Sequence, residues 1–361
     1  MKKIRGAYRM RLEFIDRVKV DEIIGKNIFS NDGSILLRTG VKLSEVYIKR
    51  LKKLGVFYVY VEDSRLDDIS IEDEKLCDLK AITIQNMSKI MKNVTGGNKK
   101  ETQNSLSVVT DLVNYVIELG DVNKSLYDIQ THDNYTYLHS IDTGIMAIFL
   151  GISMDFSEKE LKQLSVGAIL HDIGKTKIDK GIISKPSGLT SLEFEEIKKH
   201  PIYGRQLLEK NFSIPLEVLE SVEHHHERVD GSGYPYGLIK NQISKFAKII
   251  AVCDVYDSVS NDRCYREKFN PSDAYELILS GSGNYFDEEV VKSFKKTFSV
   301  FPLGVCLKLS NGVEGYVIKQ NKNFPDRPVI RVLYDNESRK PIKFYEIDLL
   351  KSHNVVVKSV I

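Results

Sequence analysis

Apolar positions along this chain change their spacing several times, and each change marks a new kind of element. Gly25–Leu37 reads as a hairpin with Asn31-Asp32-Gly33 in the turn. Leu43, Val46, Ile48, Leu51 and Leu54 then recur at helical spacing over Leu43–Lys53, and a short strand, Phe57–Val61, follows. Residues 64–130 are polar and helical, with a break at Gly96–Lys100. The second helix there, about Ser105–Leu119, carries the stripe Leu106, Val109, Leu112, Val113 and Val116. Residues 131–298 are a succession of amphipathic helices, one of them opened by a capping-box pattern with Thr190 as N-cap and Glu193 three residues on. From Phe301 the period shortens to two. The runs Val305–Leu309, Gly315–Lys319, Val329–Leu333 and Val355–Val357, set between turn signals, predict a small β-barrel or sheet of four or five strands. No long-period repeat and no low-complexity tract interrupts this order.

The expected fold class is therefore mainly α: a helical core flanked by a small N-terminal α+β unit and a small C-terminal β unit. The divisions fall at 1–63, a helical linker 64–104, the core 105–300, and 301–361. The length of 361 residues suits two or three domains at ~100–200 residues each. The apolar stripe of the second linker helix has two uses, docking on the core or pairing two copies into a homodimer. With 52 basic and 50 acidic residues the net charge is +2, so no overall field favours polymeric nucleic acid or anionic lipid. The four cysteines form no CxxC pair, which reads as free thiols in a reducing cytoplasm. The basic N-terminus has no apolar stretch behind it, and runs such as Ile145–Ile152 fall far short of the ~20 residues of a membrane span. The expectation is a soluble, cytoplasmic protein with no membrane insertion.

The chemistry concentrates in the core. Seven of the eight histidines lie between positions 132 and 226. His171-Asp172 ends the apolar run Val166–Leu170, and Asp254 interrupts the apolar helix Ile249–Val255. A carboxylate in such a setting wants a cation nearby. Imidazole with carboxylate suits iron, manganese, zinc or nickel, and the absence of cysteine ligands argues against a structural zinc site. Singly, a core histidine is more often a hydrogen-bonded structural residue. Together, seven histidines and two interior aspartates make that bland reading poor. His132 and His353, in polar and β surroundings, read as ordinary.

The ordered pieces then become specific: Tyr137-Leu138-His139-Ser140, His171-Asp172-Ile173-Gly174-Lys175, Lys185-Pro186 through Lys199-His200-Pro201, His225-His226-Glu227-Arg228, Asp230-Gly231-Ser232-Gly233-Tyr234-Pro235, Asp254-Val-Tyr-Asp257 and Asp262-Arg263-Cys264-Tyr265-Arg266. This set, spread over about 130 residues, resembles the HD-GYP branch of the HD-domain metal-dependent phosphohydrolases. The N-terminal segment resembles a small unit often found before such cores.

The resemblance implies two divalent transition metals, iron or manganese first, with zinc, nickel or cobalt as alternatives. The implied ligands are His139, His171, Asp172, His200, His225, His226 and Asp254, with Asp172 bridging. Tyr135 stands where relatives that bind a third ion carry glutamate, so two ions are expected. His224 is left out, because three adjacent histidines about 100° apart on a helix cannot all face one site. The implied reaction is hydrolysis of cyclic di-GMP to linear pGpG, and onward to GMP in some relatives, by a metal-activated hydroxide. Asp172 and Lys175 carry the catalysis, and Lys175, Tyr234, Arg263 and Arg266 contact substrate. Arg228 and Asp230 read as structural, and Gly231 and Gly233 as serving the loop's backbone. Two other readings stand beside this one: an HD phosphohydrolase on another nucleotide or cyclic dinucleotide, and a signalling module that binds cyclic di-GMP without turnover.

Overall fold

The structure is a computed structural model that describes residues 10–29, 35–54, 56, 58–66, 74–96, 99–120, 124–125, 138–185, 187–211, 213–262, 271–321, 324–338 and 340–361. At the N-terminus, β1 (Met10–Phe14), β2 (Ile28–Phe29), β3 (Ile35–Leu37), α1 (Glu45–Lys53) and β4 (Tyr58–Glu62) form the small α+β unit. β2 and β3 pair antiparallel as the hairpin expected there; its turn, Asn31–Gly33, lies outside the described residues. β1 pairs antiparallel with β4, a strand partner the basic N-terminal sequence did not advertise. Ser44 caps α1 by accepting from the Tyr47 backbone N–H. Of the stripe predicted there, Leu43, Ile48 and Leu51 are buried, whereas Val46, 71% exposed, and Leu54 face outward.

The helical body follows: α2 (Glu74–Gly96), α3 (Lys99–Leu119), the short strand β5 (Lys124–Ser125), α4 (Leu138–Ser153), α5 (Glu158–Leu170), a 3₁₀ turn over Ile173–Lys177, α6 (Lys180–Ile183), α7 (Ser191–Ile197), α8 (His200–Asn211), α9 (Leu216–His224), α10 (Lys245–Asp262), α11 (Pro271–Ser280) and α12 (Glu288–Thr297). α4 is apolar nearly all round and accordingly buried on nearly every side. It packs against α5, α10 and α12. Val109, Leu112, Val113 and Val116 of α3 join the main hydrophobic core, so the stripe docks within the chain. Thr190 and Glu193 form the expected capping box on α7.

Next come β6 (Phe298–Ser299), β7 (Cys306–Leu309), β8 (Glu314–Asn321), β9 (Phe324–Tyr334), β10 (Pro341–Asp348) and β11 (Val357–Val360). The last five make one antiparallel sheet in the order β10-β9-β8-β7-β11. β10 was not visible as an alternating run. It is an edge strand, mostly exposed, whose aromatic residues Phe344 and Tyr345 are adjacent rather than alternating with polar ones.

Candidate metal centre

Five elements bring the predicted ligands together. The first turn of α4 carries His139. His171 caps the C-terminal end of α5, with Asp172 just beyond it. His200 opens α8, while His225 and His226 follow the end of α9, and Asp254 sits in the middle of α10. Two glycines permit the closeness. A Cβ on Gly174 would lie 1.9 Å from the His200 carbonyl oxygen, so only glycine lets the 3₁₀ turn rest on the start of α8. A Cβ on Gly233 would meet the backbone of His226, Glu227 and Arg228, so glycine lets the Tyr234 loop fold back over the histidines.

Among the described residues, two groups offer ligand atoms that lie within 4.8 Å of one another: Asp172 with His200, His225 and His226, and His139 with His171 and Asp254. Asp172 and Asp254 connect the groups. Asp172 Oδ2 is 3.4 Å from His171 Nε2, and its Oδ1 is 3.3 Å from His200 Nε2. Asp254 Oδ1 is 3.0 Å from His139 Nε2, and its Oδ2 is 3.7 Å from His226 Nδ1.

The histidines are oriented by a repeated device. Nδ1 of His171, His200 and His225 each faces the carbonyl oxygen three residues earlier, those of Ala168, Ile197 and Val222, at 2.7, 2.8 and 2.7 Å. A carbonyl only accepts, so each Nδ1 carries the proton and each Nε2 turns a lone pair into the cluster. His200 Nε2 and His225 Nε2 are 3.2 Å apart, a placement that two lone pairs tolerate only with a cation or proton near them. The buried His171 Nε2 and Asp172 Oδ1 have no hydrogen-bond partner. Converging unprotonated nitrogens, orphaned buried ligand atoms and two carboxylates fit a divalent metal site.

The electrostatics point the same way. Burial by itself would raise the Asp254 carboxyl, but the His139 hydrogen bond and the neighbouring His171 and His226 rings outweigh it and hold Asp254 well below the usual range. Asp172 is likewise held far down against its burial by His171, Lys175 and His200. Burial, reinforced by His226, His171 and His200, keeps His225 neutral, and burial lowers His226 to about 3. Both are in the ligand form.

Lys175 Nζ lies 2.6 Å from Asp172 Oδ2. The Tyr234 ring stacks on His226 at 4.7 Å between centroids, and burial beside Asp254 and Asp172 raises its hydroxyl so that it stays protonated. Arg263 and Arg266 lie outside the described residues. His224 turns away, with its ring near Tyr236 and its Nε2 3.6 Å from Glu223. Arg228 lies over the Tyr285 ring, and Asp230 accepts from the Ser232 backbone and hydroxyl, so both hold the loop. The sequence reading missed one residue at the site. Asp257, fully buried, has Oδ2 2.6 Å from His139 Nδ1 and does for His139 what a carbonyl does for the other three. Its signal was available: it follows Asp254 by three residues on the same helix face.

Residues 135–290 match the HD domain model, and residues 306–361 match a KOW domain associated with the HD domain. The chain is 32% identical over 253 residues to a cyclic di-GMP phosphodiesterase of Pseudomonas aeruginosa, covering 70% of this chain and 61% of that protein. It is 33% identical over 199 residues to a cyclic di-GMP phosphodiesterase of Thermotoga maritima, covering 55% and 53%. To a 3′3′-cGAMP-specific phosphodiesterase of Vibrio cholerae it is 30% identical over 169 residues, covering 46% and 36%. The chain thus spans less than two thirds of the length of each of these relatives.

Proposed function

We propose, on the premise that residues 135–290 place this chain among HD-domain proteins, that it is a metal-dependent phosphodiesterase hydrolysing cyclic di-GMP to linear pGpG with two divalent ions. The observation that carries this reading is the convergence of His139, His171, His200, His225, His226, Asp172 and Asp254 into two adjoining ligand groups. The names of the Pseudomonas and Thermotoga relatives supply the substrate. Iron or manganese suits the mixed imidazole and carboxylate set.

Bound divalent ions supply Lewis acidity, which makes water a nucleophile near neutral pH and offsets charge on the phosphoryl oxygens. The chain's own residues do the rest. Asp172 faces both groups and stays ionised, so it ties them into one centre. Lys175, beside Asp172 and kept charged by it, presents N–H donors to a phosphate oxygen or to the departing 3′-oxygen. Tyr234 keeps a protonated hydroxyl beside the centre, with its ring held on His226. Arg263 and Arg266 supply the planar donors that phosphate and guanine accept. Water adds to phosphorus, one P–O3′ bond breaks, the 3′-oxygen takes up a proton, and the ring opens to pGpG.

The test is a substrate panel on protein loaded with Mn(II) or Fe(II): cyclic di-GMP, the mixed GMP–AMP cyclic dinucleotide, and nucleoside monophosphates. Cyclic di-GMP should be consumed fastest, with pGpG as the first product. Faster turnover of the mixed dinucleotide would move this chain toward the substrate named for the Vibrio relative. Preferred hydrolysis of a monophosphate, or a tight complex without product, would contradict the proposal.

A further inference from the structure

Helix α2 ends well before the HD match begins at residue 135. Its inward face is Leu76, Lys80, Thr83, Met87 and Ile90, a stripe at alternating spacings of four and three in which every residue is buried. Lys80 is therefore a lysine at a core position, 5% exposed. Its Nζ lies 2.6 Å from Oδ1 of Asp142, which is fully buried on α4 one turn beyond His139. α2 touches more than α4. It also packs on the 3₁₀ turn that follows Asp172 and on α8, which begins with His200. One helix thus braces elements from both ligand groups.

A buried ion pair is a poor way to add stability, because desolvating two charges offsets most of their attraction and apolar residues of similar volume do as well. A single charged residue in an otherwise uncharged stripe is a good way to fix register, since sliding the helix by a turn separates the charge from its counter-charge. We infer that Lys80 is a positioning residue: its pair with Asp142 sets the register of α2 on α4, and through α2 the spacing between the His139 group and the Asp172–His200 group. This inference rests on the two-metal reading above.

The experiment is Mn(II) titration of the full chain, followed by calorimetry and by the electron paramagnetic resonance signal of a coupled manganese pair. The double variant Lys80→Met/Asp142→Leu removes both charges, so neither is left buried alone. It should melt close to the parent protein, yet bind its second Mn(II) at least ~10-fold more weakly and lose the coupled signal, as supporting residues around metal ligands do. Should the double variant fail to fold, Lys80→Arg, which keeps the charge on a longer side chain, is expected to weaken the second site in the same direction. Parental affinity for both ions in a folded variant would overturn the positioning role and leave the metal centre standing. A parent chain that binds no Mn(II) would overturn the two-metal reading and this inference with it.

Discussion

Asp257 and the carbonyls of Ala168, Ile197 and Val222 do one job by two means. Each faces the Nδ1 of a histidine and so turns its Nε2 toward the cluster. The carboxylate does more than a carbonyl, because its charge also raises the basicity of the ring; with Asp254 it lifts His139 well above the ordinary value against the pull of burial. Asp257→Asn keeps the shape and removes the charge, and is expected to cost ~10–100-fold in metal affinity with little change in melting temperature; Mn(II) titration with parallel melting curves checks both. Two other rings, those of His225 and His226, weaken the metal-free protein in acid. His226, lowered to about 3, and His225, also lowered, stay neutral in the fold but take up protons near 6.5 once unfolded. Their contribution is present above 6.5 and lost as the pH falls toward 3, because the unfolded state then binds more protons. Thermal melts in chelator at pH 6.5, 5.5 and 4.5 should show a stepwise fall, and a flat profile would show that these two rings are not held neutral.

At the scale of elements, the cluster depends on close approaches that only glycine allows. Gly174→Ala places a carbon against the His200 carbonyl and Gly204 backbone, where no flexible side chain can yield. The substitution should cost ~1–3 kcal/mol or more in denaturant unfolding, as overpacking does, and should weaken metal binding by parting Asp172 from His200. The seven candidate ligands were legible before any coordinates, because histidines and aspartates inside apolar runs are rare and their order follows a known pattern. Asp257 was less so, since one aspartate after another reads as a cap or a bridge until its partner is seen. Lys80 was illegible: a lysine in a polar helical stretch reads as solvated surface, and only the packing of α2 on α4 shows it to be interior. Elements followed the same rule. The C-terminal strands with alternating apolar residues were predicted, whereas the exposed edge strand β10 and the N-terminal strand β1 take their form from the strands they pair with.

Across the whole molecule, the terminal units are tied to each other and to the helical body. The Leu12 backbone N–H of β1 donates to the Gly304 carbonyl, and the Arg331 guanidinium of β9 donates to the Arg65 carbonyl. Arg65 also lies over the Tyr334 ring. One hydrophobic cluster runs from Met10 and Leu12 through α2, α3 and α4 to Leu307 and Leu309 of β7. No helix among the described residues is long and apolar enough to cross a membrane. Within this frame, we propose, seven side chains form one metal centre that acts on a cyclic dinucleotide. The most direct measurement is cyclic di-GMP turnover by protein prepared without oxygen and loaded with Fe(II) or Mn(II), beside Asp172→Ala prepared in the same way. The expected result is pGpG from the parent chain, none after chelation, and none from the variant. A folded, metal-loaded parent chain that leaves cyclic di-GMP intact, or an Asp172→Ala variant that hydrolyses it at the parental rate, would contradict it.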